Sequence, residues 1–300
     1  MSIKFSGKRI KGGMVFGLVA PSLLTVSFTF ILPICYVIYL SLHKYNLLVP
    51  FHEFVALSNY LRLLKDRNFW NSLQVTLYFA FVGVTVEVVL ALLIALFLNL
   101  RFRGQQMLRT ILLLPWAVPW VVNGIIWKWI LNPRFGALNA LLQQLGIIKS
   151  YRVWLGEPFL ALNMMILADI WKETPFIAIL LLAGLQAIPK ELYEAAMVEG
   201  AGSWRRFWAI TLPLIRPVLF VALTLRAIWS LKTFDLVFAL TQGGPSGGTN
   251  LLNYYIYTTS FSRLDFGYGA TLSVVFVFLI LIITIGCYKL VFREVQYSGR

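Results

Sequence analysis

Long apolar runs separated by short polar segments make up most of the chain. Crossing about 30 Å of hydrocarbon at 1.5 Å per residue takes roughly 20 helical residues. Runs of that order extend over Met14–Leu42, Trp70–Asn99, Gln106–Leu131, Phe159–Ile188, Leu214–Leu240 and Tyr268–Val291. An unpaired strand cannot satisfy its backbone in lipid, so each run predicts a helix. The expected fold class is therefore all-α, a polytopic membrane protein with six transmembrane helices. Residues 132–157 predict one further short helix between the third and fourth spans.

Composition agrees with this pattern. The chain is 59% hydrophobic and only 13% charged, with a mean hydropathy of +0.79, whereas a soluble domain has about a quarter of its residues charged. The first run follows Lys4, Lys8, Arg9 and Lys11 as in a signal peptide. It exceeds the roughly 7 to 15 apolar residues of such a signal and lacks an A-x-A cleavage site, so it is expected to persist as the first helix.

The net charge of +14 resides in loops and termini. With both termini in the cytoplasm, Lys4, Lys8, Arg9, Lys11, Arg101, Arg103, Arg109, Lys190, Arg205, Arg206, Arg216, Lys289, Arg293 and Arg300 fall inside. The smaller group of Lys44, Arg62, Lys65, Arg67, Arg134, Lys149, Arg152 and Arg263 falls outside. The excess of inner cations predicts this orientation. It suits anionic membrane lipids, and no clustered basic face for nucleic acid is present.

Chemistry on the chain itself is not expected. Cys35 and Cys287 lie in apolar runs at opposite ends, and His43 and His52 share one loop without ligand spacing. No nucleophile elbow, zinc-protease helix or phosphate-binding glycine loop occurs, which argues against an enzyme, a metal site or a bound cofactor.

Polar residues inside the runs are the candidates for a translocation path, because charge at bilayer depth must face a cavity or a partner. They are Asn123 in the third run, Asp169, Lys172 and Glu173 in the fourth, and Arg226, Lys232 and Asp235 in the fifth, with Trp229 as an aromatic platform. Asp169 and Glu173 share a helical face. A structural salt-bridge network and direct substrate contact both fit these charges. Glu87, Asp169, Glu173 and Asp235 can balance Lys128, Lys172, Arg226 and Lys232. Pro115 and Pro119 predict a bend in the third helix that frees carbonyls beside Trp116 and Trp120, either for sugar hydroxyls or as a packing kink.

Between the fourth and fifth runs, residues 189–213 read PKELYEAAMVEGAGSWRRFWAITLP. Pro189 suits a first helical position, and Glu191 and Glu194 suit the early turns of a helix. Gly200 and Gly202 end that helix, and Ser203 is a candidate N-cap for a second, short one. Trp204, Phe207 and Trp208 make an aromatic stripe on the second helix, and Pro213 marks entry to the fifth span. The result is a helix, turn, helix element that either lies on the headgroups or receives another protein at Ala195 and Ala196.

The spacing Glu194-Ala195-Ala196, x3, Gly200, x9, Ile210, x, Leu212-Pro213 resembles in full the EAA loop of membrane permeases from ATP-binding-cassette importers. Phe234-Asp235 with Leu240-Thr241-Gln242-Gly243-Gly244-Pro245 is similar to a segment of their carbohydrate-uptake branch, with Gln242 where glycine is frequent. Residues 171–176, WKETPF, and Asn59-Tyr60 also resemble segments of that branch. The resemblance implies a type I importer fold, with residues 1–300 as one transmembrane permease domain and 189–213 as its coupling loop. It implies that Glu194, Ala195, Ala196 and Gly200 contact an ATPase subunit.

The same resemblance implies as partners a second, similar permease, two ATPase subunits that carry ATP and Mg, and an extracytoplasmic solute-binding protein docking on the outer loops. The implied substrate is a neutral mono- or disaccharide of the trehalose/maltose class, with glycerol 3-phosphate as the alternative. A cation-coupled secondary transporter and a lipid-active membrane enzyme are the competing classes. Neither has a use for a docking hairpin.

Overall fold

In the computed structural model, which describes residues 12–49 and 52–295, the apolar runs fold as helices with two informative interruptions. Helix α1 (Gly12–Val26) passes through a π turn at Ser27–Ile31 into α2 (Leu32–Ser41). A two-stranded antiparallel ribbon, β1 (His43–Lys44) and β2 (Glu53–Phe54), and a short amphipathic helix α3 (Ser58–Lys65) follow. Next comes α4 (Arg67–Asn99), started by Asp66, whose side chain accepts from the Asn68 N–H at 2.9 Å. This is a capping interaction that satisfies one free donor of the first turn.

The third run differs most from expectation. It forms α5 (Gln105–Leu112), α6 (Leu114–Ala117) and α7 (Trp120–Ile130), with a 95° bend between Ala117 and Trp120. Val118 is extended (φ −69°, ψ 129°), because the ring of Pro119 excludes the helical region for the residue before it. Pro115 occupies the first turn of α6, where its missing N–H leaves no bond unmade. The predicted bend is thus a full break at Pro119.

Helix α8 (Ala137–Gln144) is the short element expected within 132–157, and α9 (Pro158–Gln186) is the fourth run. Next is α10 (Lys190–Val198). After a turn, α11 (Ser203–Arg206) continues through a π turn at Phe207–Thr211 into α12 (Leu212–Leu231). The fifth helix therefore begins at Ser203 rather than Leu214, and Pro213 lies inside it; the π turn immediately before Pro213 relieves the ladder there. The helix also ends early. Residues 232–234 break it, and α13 (Asp235–Leu240) is a separate short helix. The chain then forms α14 (Leu252–Tyr257), a π turn at Thr258–Ser262 and α15 (Phe266–Val295).

Among the described residues, four helices are long and apolar enough to cross a membrane: Val19–Ser41, Arg67–Asn99, Ser203–Leu231 and Phe266–Gly286. The bent pair Gln105–Ala117 and Trp120–Ile130 adds one broken span. At 29 residues, α9 has the length to cross but carries Asp169, Lys172 and Glu173 within its apolar sequence. The cationic residues Lys4, Lys8, Arg9, Lys11 and Arg300, on which the orientation partly rests, lie outside the described residues.

The chain divides into two compact units. One comprises residues up to Leu64 with Thr259–Val275; the other comprises Lys65–Thr258 with the residues from Phe276 onward. In the first unit the Asn59 amide is buried and donates to the carbonyls of Ser41 and His43, both at 3.0 Å. Tyr60 shares a 2.8 Å bond with Ser41 Oγ. Arg62 pairs with Asp265 at 2.9 Å and lies 3.9 Å from the centre of the Tyr268 ring.

In the second unit α4 lies along α9. Ala91 and Ala95 on α4 and Ala168 and Ala178 on α9 are fully buried, the small-residue contact that lets membrane helices approach closely where lipid offers no hydrophobic drive. Around them, Val88, Leu98, Ile177, Leu181 and Ile215 form one cluster, and Phe79, Met165, Leu236 and Val237 belong to another. Helix α13 is held against α7 at Gly124, where a Cβ would come within 2.6 Å of the Ala239 Cβ. The break after Leu231 thus lets α13 pack as a separate helix on α7.

Candidate functional site

The 189–213 element forms as its local sequence dictates. Pro189 takes the N-cap position, one residue before the first helical position expected of it, and Glu191 lies in the first turn of α10. Gly200 has φ +79°, a left-handed conformation that favours glycine. The Gly200 N–H bonds Met197 O at 3.0 Å and the Ala201 N–H bonds Ala196 O at 2.8 Å, the paired reverse bonds that close a helix end. Gly202, not Ser203, occupies the next N-cap position, and no side chain caps the helix. Ser203 Oγ instead accepts from Arg206 at 3.2 Å.

Tyr193 OH and Thr211 Oγ1 lie 3.0 Å apart and tie the two arms together. Glu194 and Ala195 are exposed, and Ala196 is half-buried. Beside them Met197 and Val198 stand out, Val198 at 90% exposure. Trp204, Phe207 and Trp208 contact one another at 5.4–6.4 Å between ring centres. The element is a braced knuckle whose apolar tip has no cover among the described residues.

At the other end of the same continuous helix lies a cavity of about 470 Å³, lined by Trp116, Val118, Trp120, Lys172, Glu173, Trp229, Lys232, Thr233, Phe234 and Asp235. Both helix interruptions contribute to it. The Pro119 break supplies Trp116, Val118 and Trp120, and the break after Leu231 supplies Lys232 through Asp235. Lys172 Nζ bonds Glu173 Oε1 at 3.0 Å and the Trp116 carbonyl at 3.1 Å, and lies 4.2 Å from the Trp120 ring centre. Of the two readings of the bend, sugar-binding carbonyls or a packing kink, the Trp116 carbonyl fits the second, since it accepts from Lys172. Phe176 stacks on Trp116 at 5.2 Å and meets Trp229 at 5.6 Å, fixing both indoles from behind. Lys232 and Asp235 are exposed, and neither forms an ion pair among the described residues.

Five of the eight polar and aromatic candidates thus meet at one cavity: Lys172, Glu173, Trp229, Lys232 and Asp235. Asn123, Asp169 and Arg226 do not line it. Asn123 is fully buried and donates to the Ala168 carbonyl at 3.3 Å, joining α7 to α9. Asp169 is fully buried and binds Arg226. There Arg226 Nε donates to Glu87 Oε2 and Nη2 to Asp169 Oδ2, each at 2.5 Å, so one guanidinium links α12, α4 and α9. For these residues the structural network describes the geometry, whereas Lys172 and Glu173 are at once paired and accessible to the cavity. The chain also uses Glu87, Val118, Thr233 and Phe234 here, none of them among the path candidates. The sequence carried a signal for Glu87, since a lone acid in an apolar run requires a partner.

The loop after α13 is turn-rich and cross-braced. Thr249 Oγ1 lies 2.8 Å from Thr241 Oγ1 and donates to the Gly244 carbonyl at 2.6 Å, and Asn71 donates to Gly247 O at 3.0 Å. Gln242 has φ +52°, which explains why glycine is frequent at that position in the segment it resembles. His43 bonds Tyr39 O and His52 stacks on Tyr45. Among the described residues no group of histidine, cysteine or carboxylate side chains could hold a metal.

Comparison with known proteins adds three findings. The family model described as binding-protein-dependent transport system inner membrane component matches residues 87–296. The chain is 45% identical over 264 residues to the trehalose/maltose transport system permease protein MalF of Thermococcus litoralis, covering 88% of each chain. It is 38% identical over 259 residues to the sulfoquinovosyl glycerol transport system permease protein SmoG of Agrobacterium fabrum, covering 86% of this chain and 83% of that one. It is also 33% identical over 286 residues to that organism's sn-glycerol-3-phosphate transport system permease protein UgpA, covering 94% and 95%. In fold it matches a chain of a bacterial ABC transporter involved in import of the acidic polysaccharide alginate, with a TM-score of 0.81 at 21% identity over 94% of this chain and 96% of that one.

Proposed function

The chain belongs to the binding-protein-dependent transport system inner membrane components, and on that premise we propose that it imports a neutral mono- or disaccharide of the trehalose/maltose class. The observation that carries this reading is the single helix Ser203–Leu231, which starts in the braced knuckle and ends at the wall of the cavity. A docked subunit pushing on α10 has a rigid route to Trp229 and Lys232.

The partners follow from that arrangement: two ATPase subunits, one at this knuckle, a second similar permease, and an extracytoplasmic solute-binding protein. Both termini face the cytoplasm, as does the knuckle. Closure of the ATPases on ATP favours the outward-open state, the binding protein delivers sugar, and hydrolysis resets the path. The nucleotide acts as a state-dependent binding free energy, which this chain transmits.

The cavity's chemistry favours a neutral sugar. Lys172 and Lys232 are matched by Glu173 and Asp235, so the lining offers donors and acceptors without a net charge. Three indoles present flat apolar faces suited to the C–H surface of a pyranose. A glycerol phosphate requires surplus positive charge, which this lining lacks, although relatives named for that substrate share a third of the sequence. The deciding experiment reconstitutes the copurified complex in vesicles with labelled trehalose, maltose or glycerol 3-phosphate. ATP-dependent accumulation of a neutral disaccharide supports the reading, and accumulation of the phosphate alone overturns its substrate.

A further inference from the structure

The three-way contact of Arg226 with Glu87 and Asp169 is more than a fastening. All three side chains are fully buried, and each keeps an unused polar atom: Arg226 Nη1, Glu87 Oε1 and Asp169 Oδ1 have no hydrogen-bond partner among the described residues. A guanidinium offers five donors in a rigid fork, and the ones used here leave capacity for another carboxylate. That carboxylate is at hand. Glu173 lies four residues beyond Asp169 on the same face of α9, about 6 Å along the axis at 1.5 Å per residue. Its Oε1 is held by Lys172. On α4, by contrast, positions 83 and 91, one turn either side of Glu87, are glycine and alanine.

Resting on the importer reading above, we infer that Arg226 is a positioning residue with two seats on α9. It keeps Glu87 throughout and exchanges Asp169 for Glu173 as α12 shifts by one turn. Such one-turn steps are how packed helices change between discrete arrangements. The exchange frees Lys172 from Glu173 at the cavity wall, so movement of the knuckle changes the groups that face the sugar. Because Arg226 and Trp229 lie one turn apart on a single helix, the lock and the wall move together.

The test uses the whole reconstituted complex, with nucleotide hydrolysis and sugar uptake measured side by side. If the native complex shows no nucleotide-dependent uptake, the importer reading fails first, and the two-seat mechanism falls with it. Given native uptake, E173Q removes the second seat without touching the observed contacts of Arg226. It is expected to lower maximal uptake about tenfold at saturating sugar with hydrolysis continuing; because Glu173 also lines the cavity, the half-saturating concentration rises as well, and the fall in maximal uptake is the deciding readout. The triple variant E87L/D169L/R226M removes the charges together, a replacement that buried ion networks commonly tolerate. It is expected to insert and assemble while losing uptake by the same factor. Maximal uptake within about twofold of native in E173Q, or a raised half-saturation alone, overturns the two-seat mechanism. Native uptake by the triple variant does so as well. Should the triple variant fail to assemble, E173Q decides.

Discussion

The knuckle at 189–213 and the cavity beyond Trp229 stand at two ends of one helix, and they treat charge and aromatic surface in opposite ways. At the knuckle Glu191, Glu194 and Glu199 are in the open, Val198 and Trp204 are largely uncovered, and the fixed features are backbone bonds around Gly200. At the cavity Lys172 meets Glu173 and the Trp120 ring, and below it Arg226 is sealed between two acids. An exposed end free of internal obligations is available to a partner, whereas a paired interior can only exchange partners. On the proposed reading, the contrast separates where force would enter the chain from where it would be used.

The sharpest way to break the comparison is to remove a charge at each end. Arg226→Ala strands Glu87 and Asp169 in an apolar interior and is expected to destabilise the protein by about 3–5 kcal/mol, seen as a large loss of extractable protein and a lowered unfolding temperature in detergent. Arg205→Ala, at the exposed knuckle, is expected to change stability by less than about 0.5 kcal/mol. Comparable losses in the two variants would erase the distinction.

Gly200→Val comes next. A β-branched residue at φ +79° is strained, and on the proposed reading the element that carries it receives the ATPase. Uptake is expected to drop at least about tenfold while membrane insertion and protein level persist, as read by labelled-sugar accumulation and immunoblotting. Uptake at native rates would disconnect the knuckle from transport.

A smaller effect is expected for Asp235→Asn at the cavity. Loss of one charged acceptor for a sugar hydroxyl is worth about 1–1.5 kcal/mol, so the half-saturating concentration is expected to rise roughly 5- to 12-fold at that energy, with insertion unchanged. The least disturbance is expected from Trp204→Ala, within about 0.5 kcal/mol in stability, because its ring is 75% exposed. A marked loss of stability there would mean that the stripe is internal packing.

The same contrast explains what could be read from the chain. The knuckle was legible because its determinants are local: glycine at a left-handed position, small residues beside it, and aromatics at helical spacing. Even there the N-cap fell on Gly202 instead of Ser203, since capping depends on side-chain rotation that spacing does not encode. The Pro119 break was legible in kind but not in size, because a proline specifies which conformations are excluded and leaves the exit direction to neighbouring helices. The end of α12 at Leu231 was hidden, as the apolar run continues through it and the packing of α13 on α7 at Gly124 joins residues far apart in the chain. Asp169 and Glu173 read as equivalents on one face, yet one is sealed and the other reaches the cavity. That difference is set by Arg226 and Lys172 through the approach of separate helices.

The most direct measurement is cross-linking from the tip of the knuckle in the assembled complex. With cysteine introduced at Ala196 and a short thiol-reactive cross-linker applied to native membranes, the account predicts a covalent adduct between this chain and a nucleotide-hydrolysing subunit, with uptake blocked once it forms. An Ala196→Cys protein that is fully modified by a small soluble thiol reagent in the working complex, forms no such adduct and continues to transport would contradict it.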